Sequence, residues 1–293
     1  VPSGLDHIVH AVRDLDAGAH LYRRLGFTVS ARNKHAWGTH NHIVQLPGFF
    51  VELLTLAEPD KLGNDGFSRL FGAYNGEFLR QGGGKNEGLS LLIRESKDAA
   101  ADERIFKAAK ISASDVLRFE REGKRPDGSA VKVAFSLTFA KDELAPWIQF
   151  CTCQQHYPEN FWNPDFQHHT NSAKGIAEVV LVAKAPKEHA QFLSTFIGQR
   201  QIDNLADGFA LATPRGKISV MTPEAFRKVF GTQPPPSDDS ARLAAICFAV
   251  SDVAAAEDAL AAGEIDAVIE ADRAIVGPDI AMGATIVFQD GVA

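Results

Sequence analysis

Phe49-Phe50-Val51-Glu52-Leu53-Leu54-Thr55-Leu56 is an apolar run with one carboxylate at its centre. In a β-strand, neighbouring side chains point to opposite faces, so Glu52 shares a face with Phe50 and Leu54 while Val51, Leu53 and Thr55 take the other. Both faces are largely apolar, which predicts a strand covered on both sides. A carboxylate there must ionise against a desolvation penalty, stay protonated, or meet a cationic partner. Two arrangements satisfy it: an Arg or backbone amide within the core, or a metal ion completed by histidines elsewhere in the chain.

Just upstream, Trp37 to Leu46 reads as a strand carrying Thr39-His40-Asn41-His42, joined to the Glu52 strand by a tight turn at Pro47-Gly48. Further upstream, Gly4-Leu5-Asp6-His7-Ile8-Val9-His10-Ala11-Val12 reads as a strand. Asp14 offers a helix cap, Leu15, Ala19, Tyr22 and Leu25 fall at helical spacing, and Gly26 closes the helix before a second strand at Phe27 to Ser30. The order is strand, helix, three strands.

That order recurs. After a connection containing a short helix near Phe67 to Phe71 and the cluster Gly82-Gly83-Gly84, a strand at Gly88 to Ile93 leads to a helix capped by Ser96. Strands follow near Val116 to Glu120, Val131 to Phe139 and Trp147 to Cys153, the first two joined by a Pro126-Asp127-Gly128 turn. The glycine cluster has no strand leading into it and no Lys-Ser/Thr pair after it, which argues against phosphate binding. A third unit starts at Gly175 to Val182, with Pro186 opening its helix, Gly198 ending it and Lys217 to Met221 as its last strand. A short helix from Thr222 to Gly231 and a Pro-rich linker at 234–239 lead to a fourth unit: a strand to Val250, a helix from Asp252 to Gly263, and a closing strand at Ala284 to Phe288. Ala11-Val12-Arg13-Asp14-Leu15-Asp16-Ala17 and Ala249-Val250-Ser251-Asp252-Val253-Ala254-Ala255 agree at four of seven positions at the same strand-to-helix junction, a trace of internal duplication.

A chain of 293 residues with 45% hydrophobic content has enough apolar mass for two ordinary cores. A net charge of -7 opposes a nucleic-acid footprint. With no run of eighteen apolar residues and no basic-then-apolar N-terminal segment, no membrane association is expected and the cytoplasm is the expected location. Cys151, Cys153 and Cys247 are odd in number and form no Cys-x-x-Cys pair, so they are expected as small buried fillers rather than disulfides or a structural zinc site.

Leu5-Asp6-His7-Ile8-Val9, Gly38-Thr39-His40-Asn41-His42 and Val51-Glu52-Leu53-Leu54 together resemble the vicinal oxygen chelate superfamily of glyoxalases, extradiol dioxygenases and antibiotic-sequestering proteins. Gln154-Gln155-His156-Tyr157-Pro158-Glu159-Asn160-Phe161-Trp162-Asn163-Pro164 is similar to a segment of one glyoxalase-like branch. The resemblance implies an α+β fold of four βαβββ units forming two cupped, half-open barrels, with residues 1–165 bearing the metal and residues 173–293 metal-free. It places divalent-metal ligands on the first and fourth strand of each unit, hence His7 and Glu52. The matching positions of the second unit are Leu91, which cannot ligate, and Gln149, a poor ligand, so His156 is preferred as the third. In the second pair of units the positions fall on Glu178, Ser219, Ala245 and Phe288.

A set of two histidines and one carboxylate suits Fe, Mn, Ni or Zn and leaves positions for a small molecule with vicinal oxygens. Glu52 and His42 are the expected catalytic groups, and His40, Asn41, Phe161 and Trp162 the expected substrate contacts, with Trp147 a further wall. His168 and His169 are expected in a surface loop, and His10, His20, His35 and His189 in structural or exposed positions. The expected activity is isomerase or lyase chemistry of the glyoxalase kind, with extradiol-type ring opening second. The alternative is a non-catalytic protein that sequesters its ligand. The chain is expected to be a monomer or a homodimer.

Overall fold

The computed structural model describes residues 2–124, 130–236 and 238–291. The first unit comprises β1 (Leu5–Ala11), α1 (Leu15–Arg24), β2 (Asn33–Lys34), β3 (Thr39–Leu46) and β4 (Phe49–Leu56). A π-helical turn at Ser68–Ala73 runs into α2 (Tyr74–Gly84). The second unit follows with β5 (Gly88–Glu95), α3 (Ala99–Ala108), β6 (Leu117–Lys124), β7 (Ala130–Ala140) and β8 (Gln149–Gln155), after which comes the single-turn α4 (Pro158–Phe161). The third has β9 (Ala173–Val182), α5 (Ala190–Ile197), β10 (Asp203–Leu205), β11 (Gly208–Ala212), β12 (Lys217–Met221) and then α6 (Pro223–Phe230). The fourth has β13 (Arg242–Val250), α7 (Val253–Ala262), β14 (Val268–Ile269), β15 (Arg273–Val276) and β16 (Thr285–Asp290).

Each consecutive pair of units contributes one eight-stranded sheet, ordered β2-β3-β4-β1-β5-β8-β7-β6 in the first and β10-β11-β12-β9-β13-β16-β15-β14 in the second. Within a unit the first and last strands pair in parallel, and the two units of a sheet meet through antiparallel first strands, β1 with β5 and β9 with β13. This is the expected α+β architecture of four βαβββ units.

Alternation along β4 sorts the two faces. Phe49, Val51 and Leu53 enter the main core with Leu15, Leu21 and Tyr22 of α1, and Leu54 faces a second cluster inside the cup with Val9, Leu91, Ile93 and Phe139. The main core also contains Ile176, Phe196, Ile246 and Phe248, so both sheets share it. The concave side of the second sheet is closed by Phe226 and Phe230 of α6, packed on Ala244, Ala245 and Cys247. Glu178 there is paired with Lys217 at 3.3 Å.

Three expectations change in detail. Phe27 to Ser30 is not a strand: Thr28 donates its amide to His169 Nδ1, and only Ser30 reaches the sheet, through Ile43 O, so the short β2 forms further on. The cap of α3 is Asp98, whose carboxylate accepts from the Ala101 amide, and not Ser96, whose hydroxyl is turned to Asp102. The Pro126-Asp127-Gly128 turn lies outside the described residues.

Buried polar side chains tie the two halves together. His10 is fully buried and kept neutral by desolvation, accepting from the Tyr22 hydroxyl at Nδ1 and donating from Nε2 to Met282 O, each at 2.9 Å. Arg94 pairs with Asp102 at 2.7 Å, donates to Phe196 O, and lies over the rings of Phe106 and Phe196. Removing one member of a buried pair strands the other charge, which costs more than losing both. Arg94→Met is therefore expected to destabilise the protein by about 3–5 kcal/mol in denaturant unfolding. The double variant Arg94→Met/Asp102→Asn is expected to recover part of that loss, and a double variant as unstable as the sum of the singles would contradict this account of the pair.

Candidate active site

The buried end of the first cup is built by β1, β4, β3 and β8. Pairing of β1 with β5 skips a residue between Leu5 and His7, and this bulge lets the adjacent side chains of Asp6 and His7 meet. His7 Nδ1 donates to Asp6 Oδ1 at 2.5 Å, and Gln155 Nε2 donates to Asp6 Oδ2 at 3.0 Å. His7 Nε2 is left for another partner. The ring is held flat against Phe50, its parallel partner on β4, with centroids 4.1 Å apart and planes 11° from parallel.

Two residues along β4, Glu52 is 5% exposed and accepts from Asn41 Nδ2 at 2.6 Å. Burial pushes its carboxyl above the usual carboxylate range, and the nearby His7 and the Asn41 bond oppose that shift. On β8, burial holds the Cys151 and Cys153 thiols well above the ordinary thiol range, with the Asp6 charge adding to it. Donor atoms of Asp6, His7 and Cys153 all lie within 4.8 Å of one another.

These groups open into a pocket whose walls are aromatic: Trp37, Phe50, Phe67, Phe71, Phe119, Phe135 and Phe161. His35, Trp37 and Phe67 form a stack with successive centroids 4.5 and 4.7 Å apart, and Phe119 meets Trp37 edge-on at 5.3 Å. Phe161 is brought over the pocket by Gln45, whose amide nitrogen donates to Phe161 O while its oxygen accepts from the Asn163 amide. Asn33 and Arg121 complete the lining, and Arg121 is exposed.

Of the residues singled out from sequence, His7, Glu52, Asn41 and Phe161 line this pocket, and Trp162 backs it by an edge contact to Phe50 at 5.9 Å. The structure does not bring His40, His42 or His156 into it. On β3 the pocket face carries Asn41 and Ile43, and alternation sends His40 and His42 the other way. There His40 Nε2 bonds Glu58 at 2.8 Å, and His42 Nδ1 donates to Ser30 O at 2.8 Å. His156 lies beyond the pocket lining at the end of β8, 2.8 Å from Ser136 Oγ and beside Arg118. Trp147 donates to Asp238 and lies under Arg242, on the side facing the linker. His169 is a clamp, accepting the Thr28 amide at Nδ1 and donating to Gln45 O.

Register also revises the second-unit comparison. His7 pairs with Phe50 and Val9 with Glu52, while Leu91 pairs with Gln149 and Ile93 with Cys151. The strand position matching Glu52 is thus Cys151, two residues from Gln149. All three cysteines, read from sequence as fillers, are buried as expected, but Cys151 and Cys153 sit on the face of the first cup beside the carboxylates. The other residues missed were His35, Trp37, Phe119, Arg121 and Phe135. Their signal was the period-two spacing within 33–37, 119–121 and 135–137, which required knowing which face of each strand is concave.

His35 generates a pH prediction. Burial, then the charges of Arg121 and His40, lowers its pKa to about 4 from an ordinary 6.5. Between those values the unfolded chain binds the proton and the folded one does not, so stability falls as pH drops from about 6.5 towards 4. The loss from this one group is on the order of 3 kcal/mol. Urea midpoints at pH 7 and pH 4.5 are expected to differ more for the parent than for His35→Gln. Equal differences would show that His35 is not held neutral.

A divalent metal is the cofactor that the resemblance to the vicinal oxygen chelate superfamily implies for these donors. The hydrogen bond from His7 Nδ1 to a carboxylate is the arrangement that fixes a ligating imidazole with Nε2 outward. Asp6, His7 and Cys153 bring donor atoms within 4.8 Å of one another, and the buried Glu52 near His7 gains from a cation, so the residues present fit such an ion.

A family model described as a glyoxalase-like domain matches residues 5–197. No curated protein sequence matches the chain. Among solved structures, a hypothetical protein from Staphylococcus aureus superposes with a TM-score of 0.67 at 12% identity, covering 98% of this chain and 99% of that one. A 4-hydroxymandelate synthase mutant from Streptomyces coelicolor gives 0.57 at 11% identity, over 100% and 94% of the two chains. A fusion of a xylose isomerase-like TIM barrel with a 4-hydroxyphenylpyruvate dioxygenase gives 0.54 at 14% identity, over all of this chain and 49% of that one. These likenesses concern the fold, and with the family match across most of the chain they lead to one conclusion: the chain belongs to the glyoxalase-like domain family of the vicinal oxygen chelate superfamily.

Proposed function

We propose that this protein is a metal-dependent enzyme of the glyoxalase kind, acting on a small molecule with two adjacent oxygens in the first cup. On this reading residues 1–165 carry the site, and residues 173–293 form a metal-free support. The observation that carries the reading is the convergence of His7, Asn41, Glu52 and Cys153 at the buried end of one aromatic-walled pocket.

His7 Nε2, Glu52 and Cys153 would hold the ion, with Asp6 orienting His7. A thiol among the donors favours Zn, Fe or Ni over Mn. When bound, the ion supplies Lewis-acid stabilisation of negative charge developing on the substrate oxygens. The chain's own groups do the rest. Asn41 fixes Glu52 through Oε1 and so sets the direction in which the carboxylate accepts a proton from a carbon beside a substrate carbonyl. Returning that proton to the neighbouring carbonyl carbon, while the hydroxyl proton of the first carbon passes to the adjacent oxygen, completes an isomerisation with no net oxidation. The aromatic walls keep water from the carbanion equivalent in between. Extradiol-type oxidation is the second reaction considered for the same groups.

A non-catalytic, ligand-sequestering reading draws support from one feature. The β5 residues across from Val9 and His7 are Leu91 and Ile93, so this wall of the cup is apolar where a second ligating histidine would sit.

Metal content separates the two. Protein purified without chelator or tag-borne metal is expected to carry about one equivalent of a transition metal. His7→Ala and Glu52→Gln are expected to lose it with folding intact, while His42→Ala and His156→Ala keep it. Absence of metal in the parent, even after supplementation with Fe, Mn, Ni and Zn, would contradict the enzyme reading and leave sequestration.

A further inference from the structure

We infer that the ligand of this pocket is a planar aromatic molecule bearing a carboxylate, and that Arg121 is the residue that recognises the carboxylate. The inference builds on the proposed small-molecule site without depending on its metal.

Three observations converge on it. Arg121 lines the pocket, yet among the described residues its guanidinium has no hydrogen bond and no ion pair. The charges around it on β6 are already matched: Glu120 takes Arg118 at 3.4 Å and Lys132 at 3.1 Å, and by alternation Glu120 faces away from the side shared by Phe119 and Arg121. An unmatched guanidinium beside an apolar cavity is a ready partner for an anion, and its planar fork suits a carboxylate, which it binds through two parallel N–H donors.

The walls select the rest of the ligand. Phe50, Phe119, Phe135 and Phe161 line the cavity around the stacked Trp37, a set of aromatic walls that favours a flat ring over a branched chain. The opposite end of the pocket carries the acidic groups Asp6 and Glu52. Arg121 is the one guanidinium or ammonium group among the described lining residues, so the anionic end lies at the Arg121 rim and the ring points inward. The positive field of Arg121 is felt across this rim, since it is one of the charges that keep His35 neutral.

Isothermal titration of the full-length, metal-replete protein with 2-naphthoate, its neutral isostere 2-naphthamide and cyclohexanecarboxylate tests this directly. Naphthoate is expected to bind more tightly than either of the others. Arg121→Gln is expected to weaken naphthoate by roughly tenfold or more and leave naphthamide unchanged, with Arg121→Lys in between. Phe119→Ala is expected to weaken both naphthyl probes. Equal affinity for naphthoate and naphthamide, or an unaltered naphthoate affinity in Arg121→Gln, would overturn the role of Arg121 while leaving the pocket reading in place. Binding unaffected by Phe119→Ala would put the ligand elsewhere and contradict both. No binding of either naphthyl probe by protein that holds its metal would overturn the aromatic acid alone.

Discussion

The first cup is organised around the cost of taking the Glu52 carboxylate out of water. An isolated buried carboxylate is among the most unfavourable groups a fold can contain. Here it is met by an amide donor from β3 and by the imidazole of β1, which is itself anchored to Asp6. Each of these needs a strand in a fixed register: Asn41 is brought within reach by the antiparallel β3–β4 pairing, His7 by the parallel β1–β4 pairing, and Asp6 by a bulge. Lose the register by one residue and every partner moves to the other face.

The second sheet repeats the topology without the chemistry. Its concave side is occupied by α6, and Glu178, at the strand position matching His7, has a surface lysine for a partner. Through the shared core and through His10 and Arg94, this half braces the strands that hold Glu52 and His7. Four units of one topology thus yield one cup with polar groups at its base and one packed as core.

Much of this was legible in the chain. The Phe49 to Leu56 run announced its two buried faces and its misplaced charge, Asp14, Gly26 and Gly198 marked helix ends, and the strand-helix-strand order repeated often enough to give the fold. Short strands such as β10 and β14, lying at sheet edges, left little apolar pattern to read. The site was legible only where one strand sufficed. Glu52 and His7 could be found from alternation and resemblance, but the choice between Asn41 and its flanking histidines depended on which face of β3 is concave, a property of the closed sheet. His156 looked attractive by its spacing, yet β8 ends before it and its ring turns to Ser136. The bulge that joins Asp6 to His7 leaves no mark in the sequence, and neither does the register that places Cys151 opposite Ile93.

The most direct test of the central claim, that the buried pair Glu52 and His7 forms the base of a metal-dependent site, is anomalous scattering from crystals grown with the protein's own metal, measured on both sides of its absorption edge. The account predicts one peak in the first cup, adjacent to His7 and Glu52. A peak confined to the outer face of β3, near His40 and His42, or no peak in the first cup of protein shown by elemental analysis to contain metal, would contradict it.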